Sequence, residues 1–110
     1  MTGSGCLRFA SVGSGSRGNA LIIEAHATNS DVRPTRVLVD CGFSLREIAA
    51  RLARHKLTPD DLDAILVTHE HSDHSAGVFK CARRHDIEVI LTRGTLAAFP
   101  CDRGELPRLR

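Results

Sequence analysis

The chain has 110 residues, with 15 Lys plus Arg against 13 Asp plus Glu, 42% hydrophobic and 25% charged, a balance that excludes disordered and collagen-like chains. A chain of this size holds one domain, burying roughly 65% of the surface its unfolded state exposes, and has no room for a second. The formal net charge of +2 neither demands nor excludes a nucleic-acid partner. The first twelve residues lack a secretory pattern, and no stretch approaches the roughly 18 to 20 apolar residues of a membrane span, so the sequence reads as cytoplasmic.

Residues 7–12 alternate Leu, Phe and Ser with Arg, Ala and Val, a period-two pattern that predicts a strand. It runs into Gly13-Ser14-Gly15-Ser16-Arg17-Gly18-Asn19, a loop. Residues 20–25, with the β-branched pair Ile22-Ile23, predict a second strand, and 26–35 a surface turn ending in Arg33-Pro34-Thr35. Residues 36–40 are a third strand, closed by Asp40 and followed by Cys41-Gly42.

Ser44 and Glu47 have capping-box spacing, and Leu45, Ile48, Ala49, Leu52 and Ala53 recur at helical spacing, predicting an amphipathic helix over 45–55. Thr58-Pro59-Asp60-Asp61 begins another turn, with Thr58 as cap and Pro59 at the first helical position. Residues 62–68 form a buried strand, and 76–85 a helix capped by Ser75 with Val78, Phe79 and Ala82 inside. A strand over 88–92 and a helical turn over 95–99 follow, and 101–110 is an irregular tail. Helices alternating with strands after residue 36, following an antiparallel start, give an α/β (α+β) fold with a mixed sheet in a single domain, 1–110.

The cysteines, Cys6, Cys41, Cys81 and Cys101, contain no C-x-x-C pair and read as reduced structural thiols. Trp and Tyr are absent, and Phe occurs four times, so stacking on nucleic-acid bases is poorly supplied.

The strongest chemical signal is His69-x-His71-x-Asp73-His74, four metal-ligand types within six residues directly after a buried strand. At this composition such a pattern arises by chance on the order of once in a thousand chains. In extended backbone His69 and His71 project to one side, while Asp73 and His74 stand where the chain turns into a helix. Three imidazoles and a carboxylate suit zinc, with Mn or Fe as alternatives. The site belongs at the carboxyl end of the strand, where open α/β sheets bind ligands. Asp40, ending a different strand, is placed to accept the other ring N–H of a ligand histidine, as an outer-shell partner does. His26, His55 and His85 read as surface residues.

Ser11-Val12-Gly13-Ser14-Gly15-Ser16-Arg17-Gly18-Asn19, Val37-Leu38-Val39-Asp40-Cys41-Gly42 and Thr68-His69-Glu70-His71-Ser72-Asp73-His74 together resemble the metallo-β-lactamase superfamily, in particular its YycJ/VicX group of nucleases. The resemblance spans residues 7–99. It implies the amino-terminal half of an αββα sandwich and a hydrolytic centre with two divalent metal ions, zinc first. His69 and His71 would bind the first metal, and Asp73 and His74 the second. Asp73 would also hold the attacking hydroxide in line, Asp40 would orient a ligand, and Ser16 and Asn19 would be substrate contacts. Phosphodiester substrates, DNA or RNA, are implied rather than β-lactams. Such folds exceed 200 residues and draw further ligands from a second half, so the resemblance makes this chain a truncated, incomplete site. Its apolar sheet face would be left uncovered and would associate with whatever supplies the missing layer.

Two other readings stand beside this one. The chain is a non-catalytic fragment that binds a metal or a partner, or Gly13-x-Gly15-x-x-Gly18 is a dinucleotide-binding turn with Asp40 as its acidic residue. The latter needs a helix directly after Gly18, where residues 20–23 instead read as strand.

Overall fold

The alternation of small and branched apolar residues along 7–12, 20–25 and 36–39 is realised as a meander. The structure, a computed structural model, describes residues 6–15, 18–27, 33–68 and 76–91. The strands are β1 (Cys6–Gly13), β2 (Ala20–His26), β3 (Thr35–Val39), β4 (Ala64–Leu66) and β5 (Glu88–Ile90); the helices are α1 (Leu45–Ala53) and α2 (Val78–His85), with a 3-10 turn at Pro59–Asp61. The five strands form one mixed sheet in the order β1-β2-β3-β4-β5. The first two pairings are antiparallel and the last two, reached through helical crossovers, are parallel.

The register sets one inward row across the sheet, Ala10–Ile22–Leu38–Ile65–Val89. Leu38, Ile65 and Val89 are wholly buried against Ile48 and Leu52 of α1 and Val78, Cys81 and Ala82 of α2. Full burial of each such aliphatic side chain is worth about 1.5–3 kcal/mol. The next residues along each strand point to the other face, which is apolar through Leu21, Ile23, Val37, Val39 and Leu66. There Leu7 and Phe9 are 62% and 64% exposed.

β1 carries a bulge: Ser11 pairs with Leu21 and Gly13 with Ala20, so Val12 is the extra residue. Arg51 of α1 donates to the Val12 carbonyl at 2.8 Å while bonding Glu47 one turn back at 2.8 Å. Its guanidinium lies 4.2 Å from the centroid of the Phe43 ring, a cation–π contact.

The cap of α2 differs from expectation. The helix begins at Val78 with Gly77 as its cap residue, and no side-chain cap is made there; Ser75 lies outside the described residues, as does the turn expected over 95–99. A glycine is required at 77 because a Cβ would overlap the carbonyl oxygen of Phe43. The inner face of α2 also includes Cys81, with Phe79 only partly buried. His26 ends β2 rather than starting a turn, bonded to Glu24 at 3.2 Å, and His85 bonds Asp60 at 2.8 Å. β4 and β5 are shorter than expected, three residues each.

Glu24 faces Arg36 across β2 and β3 and bonds its Nε at 2.5 Å. That hydrogen bond holds the Glu24 carboxyl below its usual value of 4.5 against the opposing effect of burial, with His26 adding to the lowering. A depressed carboxylate contributes stability above its unfolded pKa, and the contribution is lost as pH falls through the lower folded value. Urea midpoints measured over about pH 3 to 6 are therefore expected to show the gap between parent and Arg36→Met narrowing as the pH falls. A constant gap would mean that the pair adds nothing electrostatic.

Candidate metal centre

Two neighbouring parallel strands, β3 and β4, end side by side, and the chain leaving each is tied to the other. Asp40 follows β3 with φ 64 and its N–H donates to the Leu66 carbonyl at 2.8 Å. This left-handed conformation is uncommon for a residue with a Cβ, though Asp tolerates it better than most. It turns the buried Asp40 carboxylate towards the end of β4. There Oδ1 accepts the backbone N–H of Thr68 at 2.7 Å and Oδ2 accepts the Thr68 hydroxyl at 2.6 Å. Thr68 immediately precedes His69, so the entry to the metal-ligand motif is clamped by a charge-assisted pair of hydrogen bonds.

The exit is fixed by the same turn. The N–H of Gly77 donates to the Cys41 carbonyl at 2.9 Å, and Gly77 sits against the Phe43 backbone. Residues 69–75, with His69, His71, Asp73 and His74, lie outside the described residues. Their two anchors, Thr68 and Gly77, are both held by the Asp40-Cys41-Gly42-Phe43 turn.

The glycine loop borders this turn from the other side. Asn19 closes it: its Oδ1 accepts the Gly15 N–H at 3.1 Å and its Nδ2 donates to the Gly15 carbonyl at 2.8 Å. The Asn19 carbonyl accepts the Gly42 N–H at 3.1 Å. Gly13 and Gly18 flank the Phe43 ring so closely that a Cβ on either would run into it. Ser16 lies outside the described residues. β2 starts at Ala20 and pairs antiparallel with β1, so the helix that a dinucleotide turn needs after Gly18 is replaced by a strand. The three glycines serve Phe43 packing and, at Gly15 with φ 126, a turn.

The buried thiols are not candidate ligands. Burial pushes Cys41 up to about 11, opposed in part by its contact with the Phe43 carbonyl, and Cys81 up to about 12. Metal binding and nucleophilic attack both need thiolate, so these groups serve as core. Cys6, Cys41 and Cys81 are all free. No group of three His, Cys, Asp or Glu side chains able to hold a metal occurs among the described residues.

Sequence reasoning located Asp40 but missed its partner. Thr68 lies 28 residues away, and its role depends on strands β3 and β4 ending in register. Phe43, Arg51 and Gly77 were missed as framework residues; the one local signal was a glycine directly behind the motif.

Comparison with known proteins agrees with this framework. The chain is 37% identical over 91 residues to "Exodeoxyribonuclease WalJ" of Streptococcus pneumoniae serotype 2, covering 83% of this chain and 31% of that protein. It is 36% identical over 101 residues to "Exodeoxyribonuclease YycJ" of Bacillus anthracis, covering 92% and 36%. It thus spans about a third of the length of these curated relatives. Among solved structures, Rm3 metallo-beta-lactamase superposes with a TM-score of 0.63 at 20% identity, over 93% of this chain and 41% of that one, a likeness of fold alone. The Metallo-beta-lactamase superfamily profile matches residues 18–108. With a mixed sheet of that fold and a motif segment carried on its carboxyl edge, the chain belongs to the metallo-beta-lactamase superfamily.

Proposed function

We propose that the protein is a nuclease-type phosphodiester hydrolase, acting in the cytoplasm on DNA with a pair of divalent metal ions, zinc first. The observation that carries this reading is the anchoring of residues 69–75 at both ends by one turn, at the carboxyl ends of β3 and β4. The names of the two exodeoxyribonuclease relatives support DNA as substrate, and free thiols at Cys6, Cys41 and Cys81 suit a reducing compartment.

The donor set fits the ions. Neutral imidazoles from His69, His71 and His74 with the Asp73 carboxylate are the nitrogen and oxygen ligands that borderline divalent ions take. When bound, the ions supply Lewis acidity for the phosphoryl oxygen and lower the pKa of the attacking water. Asp73 aligns that water by accepting its hydrogen bond. Asp40 acts from behind: two of its roughly four acceptor positions hold Thr68, and the carboxylate orients a ligand imidazole. The Gly13–Asn19 loop borders the substrate, with Ser16 and Asn19 as its polar contacts.

The test is metal content and zinc titration of the parent against His69→Ala/His71→Ala, with circular dichroism to confirm folding. Binding in the parent and at least a tenfold loss in the variant are expected, with loss of any phosphodiesterase activity. Equal zinc affinity in the two proteins would overturn the ligand assignment. Metal-loaded protein that hydrolyses no phosphodiester would favour the non-catalytic binding reading.

A further inference from the structure

The starts of α1 and α2 border a groove of about 440 Å³, lined among the described residues by Ser44, Leu45, Arg46, Ala76, Gly77 and Lys80. Its volume lies in the roughly 300–1,000 Å³ range of sites that hold one small organic unit. Ala76 and Gly77 directly follow residues 69–75 in the chain, so the groove adjoins the metal-ligand motif in sequence. Both cations are exposed, and no carboxylate is among the described residues that line the groove. Arg33, Arg36 and Arg51 are instead committed to Asp63, Glu24 and Glu47 in ion pairs, the last within α1. Glu47, the acid nearest in sequence to Arg46, turns away to Arg51. The two helix starts add the positive ends of their peptide dipoles.

We propose that this groove is a phosphate track for a single DNA strand, with Arg46 and Lys80 as the two side chains that meet its phosphates, delivering the strand to the metal centre. The inference rests on the nuclease reading and deepens it. The described lining contains no aromatic side chain, so bases have no stacking platform and recognition falls on the backbone. The lining surface is mainly apolar, with Leu45 and Ala76 in it, so the two cations are its charged contacts. The track is therefore indifferent to sequence and dependent on salt.

The experiment is fluorescence anisotropy of a labelled oligothymidine with the protein in EDTA, where binding is read without turnover, across about 50 to 200 mM salt. Neutralising two fewer phosphates on a single strand flattens the slope of log K against log salt by about 1.4. Arg46→Gln/Lys80→Gln should show that change with a weaker affinity at low salt. Arg54→Gln/Lys56→Gln, at the far end of α1, should keep the parent slope, and the charge-conserving Arg46→Lys/Lys80→Arg should restore it. No binding by the parent, an unchanged slope in the glutamine pair, or an equal loss in the far-end pair would each overturn the proposal. So would a polyglutamate that competes as well as the oligonucleotide. Hydrolysis of bis(p-nitrophenyl) phosphate by zinc-loaded protein separates the two readings, since this ester needs no track. Its absence in the parent counts against the nuclease reading, while its presence beside an unchanged slope removes the track alone.

Discussion

Gly77→Ala is expected to cost about 3 kcal/mol, the upper end of what overpacking a tight contact costs. The backbone of Gly77 has φ −102, a conformation alanine adopts freely, and exchanging glycine for alanine at a relaxed position stabilises by about 0.4–1 kcal/mol through the unfolded state. The sign therefore rests on the Cβ, which would meet the Phe43 carbonyl oxygen and lie 3.3 Å from the Cys41 sulfur. The nearest obstacle is main chain in the turn that also carries Asp40, so relief requires moving α2 off the sheet. The result is read as a lower urea midpoint at unchanged slope. Gly15→Ala provides the contrast: no atom of the described residues lies within 4 Å of its Cβ, and the φ of 126 is what is at issue, at a cost of about 1–2 kcal/mol. If Gly77→Ala proves no worse than Gly15→Ala, the crossing of α2 and the Phe43 turn is looser than described.

Asp40→Ala is expected to lose about 3 to 5 kcal/mol, from two hydrogen bonds to a charged acceptor at roughly 1.5–3 kcal/mol each and a left-handed φ that alanine resists. Asp40→Asn keeps a side chain suited to φ 64, and its amide can still accept the Thr68 N–H while the hydroxyl reverses to accept. It should lose only about 1 kcal/mol of stability. With the charge gone, zinc affinity should nonetheless fall about 10–100-fold in both variants. Chemical denaturation beside zinc titration separates the two roles. Asparagine matching the parent in metal affinity would leave Asp40 a clamp on Thr68 and nothing more.

The strands that alternate cleanly were readable because burial on one face imposes a period of two on any sequence. β2 and β3 depart from expectation by single residues at their ends. What escaped reading was set by pairs distant in sequence. Ser75 has the right chemistry for a cap, yet the described helix starts at Val78 behind Gly77, and the need for glycine there is set by Phe43, 34 positions upstream. The spacing of Gly13, Gly15 and Gly18 imitates a phosphate turn, whereas two of those glycines are absent side chains making room for one phenyl ring. Asp40 was legible as a strand-end acid, but its hold on Thr68 exists only once β3 and β4 lie in register.

The spatial order of the five described strands is also their order along the chain. No described strand waits for a later one, and none has to be threaded between two already paired. As the chain emerges from the ribosome at roughly 5–20 residues per second, the β1–β2–β3 meander can close through local connections. Each crossover, through α1 and then α2, then adds one strand to the same advancing edge. The histidine motif is synthesised after the Asp40 turn that anchors it, so its ligands are delivered to a platform already built.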